Sequence, residues 1–187
     1  MFRCLLLRIL FLKYRLKNRK IIFKGWAVIH SFKGSAIHIG EHTAIFSSFS
    51  SNMLGLYQRT IIVARYGGVI NIGKHCGISG STIYSWKSIE IGNYTRIGAN
   101  CKIIDNDFHP IQLKYRHEGQ NKDYTERAPI IIGNDCFIGM NSIILKGTTL
   151  GNNVIVGAGS VVHGSFPDNC IIAGNPAKIV KKIDEKR

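Results

Sequence analysis

The sequence predicts an all-β fold, a parallel β-helix built from six-residue repeats. Three observations carry that expectation. An aliphatic residue recurs every six positions, with hexads beginning at Ile39, Ile72, Ile78, Ile91, Ile97, Ile132, Ile138, Ile144, Leu150 and Val156. The next position is glycine in eight of these ten hexads, Ser79 and Leu145 being the exceptions. The fifth position holds only small or β-branched residues: Thr43, Cys76, Thr82, Thr95, Cys101, Cys136, Ser142, Thr148, Val154 and Ser160. Neither the helical period nor simple alternation fits this text. One inward aliphatic residue per hexad stacks on its copies above and below. Glycine near the corner permits a positive φ or a close backbone approach, and a small fifth residue fits where the corner is narrow. Three hexads make a triangular coil of roughly 18 residues, and coils stack at the ~4.8 Å spacing of paired strands.

In chain order, residues 1–20 form a basic, apolar segment expected to be helical. Its run "CLLLRILFLKYRL" is interrupted by Arg8 and Lys13. The uncharged stretches fall short of the ~20 residues of a membrane span, and no small-residue cleavage site follows. A helix lying on a membrane surface fits, as does one packed on the protein or a neighbouring subunit. Residues 21–166 then form the coil. Its register loosens between Ser47 and Asn71, where "SSFSSNMLGLYQR" reads as a loop, and slips by one around "YSWKSIE". It fails from Asp105 to Pro129, so an excursion loop is expected at about residues 106–130 before the repeat resumes at Ile132. Residues 167–187 read as a turn and a short basic segment that caps the open end of the stack.

The chain's 187 residues support one well-cored domain. Its net charge is +14, and eight cations from Arg3 to Lys24 precede the first acidic residue, Glu41. That asymmetry fits an anionic membrane surface or another phosphate-bearing partner, the plain alternative being a solvated tail. No nucleic-acid partner is expected, because the cations are not interleaved with stacking aromatics and no nucleic-acid motif occurs. Five cysteines without a CxxC argue against a disulfide framework and for a reducing cytoplasm. Cys76, Cys101 and Cys136 all fall on fifth positions and read as small packing groups. His30, His38, His42, His75, His117 and His163 are scattered, whereas a zinc site needs converging ligands, so no metal is expected.

The stretch "IGNDCFIGMNSIILKGTTLGNNVIVGAGSVV", then "PDNCIIAGNPAKIV", resembles the last coils and AGNPA-type tail of the hexapeptide-repeat acyltransferases, the group of maltose, galactoside and polysaccharide O-acetyltransferases. With "GISGSTIYSWKSIEIGNYTRIGANCKIIDNDFHPI" before it, the resemblance covers roughly residues 36–183. It implies a left-handed winding, a homotrimer, and acetyl-CoA held as cosubstrate in a cleft between subunits. It implies that His109, in "DNDFHP", is the general base. An imidazole of pKa ~6.5 can take a sugar hydroxyl's proton as the oxygen attacks the thioester, then protonate the departing thiolate. Asp105 or Asp107 would hold its tautomer, although both also read as turn-forming residues. The resemblance implies coenzyme contacts at Gly139, Met140 and Ala158, with a backbone N–H near Gly139 serving the oxyanion. Many relatives carry Thr-Lys where this chain has His163-Gly164, so Lys178 is expected to supply the cation instead. Galactoside-type enzymes carry Asn where Ser79 stands, which implies a different or larger acceptor. Lys114, Tyr115 and Arg116 of the excursion are expected on the acceptor side.

The function this implies is acetyl-CoA-dependent O-acetylation of a sugar hydroxyl in a cell-surface polysaccharide or lipopolysaccharide precursor, in the bacterial cytoplasm and peripheral to the plasma membrane. The alternatives are a small-sugar or antibiotic acetyltransferase, and a non-catalytic β-helical scaffold trimer. The histidine in its "DFHP" setting argues against the scaffold.

Overall fold

The computed structural model describes residues 20–117 and 121–184. The helical segment expected within residues 1–20 therefore lies, up to Arg19, outside the described residues. From Ile22 the chain winds as a triangular parallel β-helix with three faces. Face I carries β1 (Ile22–Gly25), β4 (Ala44–Ser47), β7 (Gly77–Ser79), β10 (Arg96–Ala99), β13 (Phe137–Ile138), β16 (Ile155–Val156), β19 (Cys170–Gly174) and β20 (Ala177–Lys182). Face II carries β2 (Val28–Ser31), β5 (Ile61–Ala64), β8 (Thr82–Ser85), β11 (Lys102–Ile104), β14 (Ile143–Ile144) and β17 (Val161–Val162). Face III carries β3 (Ala36–Ile39), β6 (Val69–Ile72), β9 (Ser88–Ile91), β12 (Ile130–Ile132), β15 (Thr149–Leu150) and β18 (Ser165–Phe166).

The hexad leaders form the core. On face I, Ile45, Ile78, Ile97, Ile138, Val156 and Ile172 pair in register one above another. Ile62, Ile83, Ile103, Ile144 and Val162 do so on face II, and Ile39, Ile72, Ile91, Ile132 and Leu150 on face III. Most of these side chains are wholly buried. Each contributes about 1.5–3 kcal/mol by leaving water, so the stack is held mainly by aliphatic columns.

The corners refine the sequence reading. Second-position glycines serve close approach rather than positive φ: a Cβ on Gly92 would stand 2.5 Å from the Gly133 carbonyl carbon one coil away. The positive φ belongs to the fourth position, held by His42, His75, Tyr94, Asn100, Asp135, Asn141 and Asn153. His42 stacks on His75, and His75 on Tyr94, with ring centroids 5.0 and 4.9 Å apart. One fifth-position assignment is corrected. Thr82 lies on a strand and is half-buried, while Ser81 is fully buried at the corner. The step from Ile78 to Ile83 is one residue short and that from Ile83 to Ile91 two residues long, which is why the six-residue count slips by one across this coil.

Two insertions leave the coil. A loop over residues 48–60, with a 3-10 turn at Phe49–Ser51, fills the corner between faces I and II. The excursion occupies residues 105–129 at the corner between faces II and III and carries two short helices, α1 (Leu113–His117) and α2 (Asn121–Tyr124). The C-terminal segment does more than cap. β19 extends face I in parallel with β16, and only β20 turns back antiparallel along it. Lys178, Lys181 and Lys182 are exposed on that edge strand, where charge discourages pairing with another chain.

Candidate functional site

The coil distributes the candidate residues over two of its corners. Ser79, Gly139, Met140 and Ala158 share one groove, a cavity of about 510 Å³ on face I whose walls include Arg96 and Phe137. Its floor is almost bare backbone. A Cβ on Gly139 would lie 2.5 Å from the Ala158 nitrogen, and one on Gly98 would lie 2.7 Å from the Met140 nitrogen. The N–H groups of Met140 and Ala158 donate to no acceptor among the described residues. Such amides along a mostly apolar groove suit a long, partly polar chain and a developing oxyanion. The end of the groove nearer the N-terminus is closed by Phe46, Asn52 and Leu54, with Asn52 Nδ2 donating to Ser79 Oγ at 3.2 Å.

His109 lies at the other corner, on the same coil as Gly98. The chain reaches it through a three-residue turn: His109 N–H donates to the Asp107 carbonyl at 2.7 Å, and Phe108 takes φ +61. A phenylalanine pays strain in that region and persists there only when its surroundings fix it. They do. Phe108 packs against Tyr84 and Trp86 with centroids 5.1 and 5.9 Å away, and its N–H donates to Asn106 Oδ1. Pro110 is buried behind the turn, and His109 is exposed in front of it.

The two aspartates hold this corner in different ways. Asp105 is fully buried, and its carboxylate accepts from Ser85 Oγ at 2.6 Å, Trp86 N–H at 2.8 Å, Lys87 N–H at 2.9 Å and Asn106 Nδ2 at 3.1 Å. Four donors saturate it, so it ties the excursion's start to the coil below. The Asp107 carboxylate meets Lys146 Nζ at 2.8 Å, and Lys146 also reaches Glu126 at 3.5 Å on the returning strand. Hydrogen bonding to Asp107, and then its charge, raises the Lys146 pKa, while partial burial opposes the shift. A backbone bridge between Asn106 and Arg127 completes an antiparallel neck.

The remaining candidates sit apart from the groove. Tyr115 in α1 stacks flat on Tyr124 of α2, centroids 3.6 Å apart, and Arg116 beside it is exposed. Lys178 lies on β20, two strands beyond β16 on face I, and does not line the groove. Sequence reading missed Arg96, Phe137, Asn52 and Leu54 as groove walls. The two strand residues alternate outward, a signal present in the hexads; the two loop residues carried none. Lys146 was also missed, for its role depends on a neck that brings Asp107 and Glu126 together across the excursion.

Cys76, Cys101 and Cys136 are packing groups. They donate their S–H to the carbonyls of Gly92, Gly139 and Gly151 at 3.1, 3.2 and 3.1 Å. Burial pushes all three thiols up, Cys136 to about 11, which disfavours the reactive thiolate. Among the described residues, no group of three His, Cys, Asp or Glu side chains is placed to hold a metal, and no helix is long and apolar enough to cross a membrane.

A family model described as "Hexapeptide repeat of succinyl-transferase" matches residues 129–163. WbbJ of Escherichia coli K12, provisionally named a lipopolysaccharide biosynthesis O-acetyl transferase, is 37% identical over 155 residues, covering 81% of this chain and 74% of that protein. The galactoside O-acetyltransferase of the same strain is 31% identical over 122 residues, covering 65% of this chain but only 58% of its own length. Among solved structures, the polysialic acid O-acetyltransferase OatWY superposes with a TM-score of 0.70 at 26% identity, covering 89% of this chain and 76% of that one. Six-residue periodicity, aliphatic columns, glycine corners and these likenesses agree: the chain belongs to the hexapeptide-repeat acyltransferases and folds as their left-handed parallel β-helix.

Proposed function

We propose that the protein transfers an acetyl group from acetyl-CoA to a sugar hydroxyl, with His109 as general base, and that neighbouring copies in a homotrimer share each site. One observation carries the reading. The groove runs across the coils from Ser79 to Ala158, and the exposed His109 stands on one of the coils it crosses, that of Gly98, but at a different corner of the triangle. A second copy placed corner to groove brings the two together.

In that arrangement the coenzyme lies along face I, its thioester near the Met140 amide. The acceptor hydroxyl lies between the thioester and the partner copy's His109. The imidazole takes the hydroxyl proton as the oxygen attacks the carbonyl carbon. The tetrahedral intermediate collapses to ester and thiolate, and the imidazolium returns its proton to the sulfur. No enzyme-bound acyl group is needed, since both substrates are held at once. Asp105 and Asp107 act through the turn, by fixing the backbone from which His109 projects. Ser79 is held by Asn52, so an acceptor on this side meets the Asn52 amide as well as the short Ser79 side chain.

The acceptor we favour is a cell-surface polysaccharide or lipopolysaccharide precursor. WbbJ and OatWY, whose names carry such substrates, support it, as does the N-terminal cluster of cations, which suits an anionic inner membrane face. Flotation with vesicles of phosphatidylserine and phosphatidylcholine tests that last point; no difference between the full chain and one lacking residues 1–19 would sink it. A thiol-release assay with acetyl-CoA and a sugar panel tests the chemistry. We expect His109→Ala to bind acetyl-CoA normally and transfer about 10²–10⁴-fold more slowly. Equal transfer by the variant would overturn the base assignment, and a wild type that binds no acetyl-CoA would favour a scaffold.

A further inference from the structure

The loop over residues 48–60 closes a second cavity on the side away from the transfer groove. It measures about 320 Å³, and its lining includes Trp26, Ser48, Phe49, Tyr57 and Arg59. Three aromatic rings face it while open to water: Phe49 is 77% exposed, Tyr57 71% and Trp26 37%. Arg59 is exposed and has no ion-pair partner among the described residues. Lys102 stands 5.9 Å over the Tyr57 ring, a second cation with no ion-pair partner among the described residues.

This loop is pinned to the wall of the coil. Asn100 Nδ2 donates to the Gly55 carbonyl at 3.0 Å, and Gln58 Nε2 to the Gly80 carbonyl at 2.8 Å. Lys102 Nζ donates to Gln58 Oε1 at 2.6 Å. Gly80, with φ +49, brings its backbone so close that an added Cβ would meet Leu56 and Gln58 at 3.0 Å. The loop backbone that carries Tyr57 is therefore held in place before any ligand arrives, which lowers the ordering cost of binding.

We propose that this cavity is a remote acceptor subsite that holds an acidic sugar residue of the glycan several units away from the one acetylated. The proposal rests on the glycan-acetylating reading above. A sugar ring presents a face of C–H groups and a rim of hydroxyls. Aromatic rings cover the face, and the Ser48 hydroxyl meets the rim. A guanidinium free of protein carboxylates takes a sugar carboxylate through two parallel N–H donors. The volume fits one or two sugar residues, at the small end of ligand pockets of roughly 300–1,000 Å³. Continuity supplies the direction: Asn52 and Leu54 of the same loop wall the transfer groove. A chain of sugars crossing the loop enters the groove with one residue anchored behind it. A lipid surface fits less well, because the rings line a concavity on a tied-down loop.

The test is calorimetric titration of the full chain, without acetyl-CoA, with a glucuronate-containing tetrasaccharide and with its carboxyl-reduced neutral counterpart. We expect the acidic form to bind about tenfold more tightly than the neutral one, and Arg59→Gln to abolish that difference. Tyr57→Ala should weaken both by about tenfold while melting at the wild-type temperature; Phe49→Ala serves if it does not. The proposal falls if neither saccharide binds at millimolar concentration or if Tyr57→Ala binds both as the wild type does. It also falls if Tyr57→Ala changes the sedimentation mass, which would make the loop a subunit contact, or abolishes flotation with phosphatidylserine vesicles, which would make it a lipid contact. Acetyl-CoA binding, titrated separately, decides the transfer reading, so the two can fail independently.

Discussion

Asp105 is a buried clamp at the corner that carries His109. Its carboxylate holds the hydroxyl of Ser85 and the amides of Trp86 and Lys87, all on the turn below the excursion. Replacing it with alanine leaves buried donors unpaired, so we expect a loss of about 3 kcal/mol, read by denaturant unfolding. Asp105→Asn, which keeps one acceptor oxygen, should lose less; equal losses would show that the clamp is not what the carboxylate supplies. Cys136 makes a pH prediction. Its folded thiol is held at about 11, above the ordinary 9.0, by burial. The unfolded chain therefore gives up this proton first, and stability falls as pH rises from 9 towards 11. Cys136→Ala should flatten that slope in unfolding measured across the range; an unchanged slope would remove the thiol from the account.

At the scale of elements, the neck of the excursion is the part that sequence alone concealed. The repeat located the break, and the resemblance singled out His109. Neither could show that Asp107 and Glu126, on opposite sides of the neck, meet one cation from the next coil, Lys146. Long-range closure of this kind leaves no periodic trace. Nor did the sequence place the positive φ at the fourth position, because His42, His75 and Tyr94 hold it there beside the asparagines and Asp135. Lys146→Met should leave global stability within about 1 kcal/mol, as expected for partly exposed ion pairs. It should nonetheless lower transfer by loosening the turn that carries His109, with amide exchange rising across residues 105–128. A variant with full activity and unchanged exchange would show that the neck needs no such tie.

At the scale of the whole molecule, the coil was legible because every hexad repeats the same packing problem. What one chain's sequence cannot display is which corner faces which. If each site is shared, two defective chains can complement. His109→Ala keeps its groove, and Gly139→Val, whose added side chain would press on Ala158, keeps its histidine. Co-expressed, they should recover a substantial fraction of the transfer that each lacks alone, and scattering should report the mass of three chains. No recovery in mixed oligomers would place the whole site within one chain.

Both insertions enter and leave the coil without disturbing the strand pairs on either side: β4 still meets β7 across the first, and β11 meets β14 across the second. The tower and its two projecting loops can therefore vary on separate schedules. A lineage can exchange either loop for another of different length and chemistry while the aliphatic columns stay fixed. On the transfer reading, new acceptors are then reached by trading appendages, while the coil-borne part of the groove, Gly98, Gly139 and Ala158, is inherited unchanged.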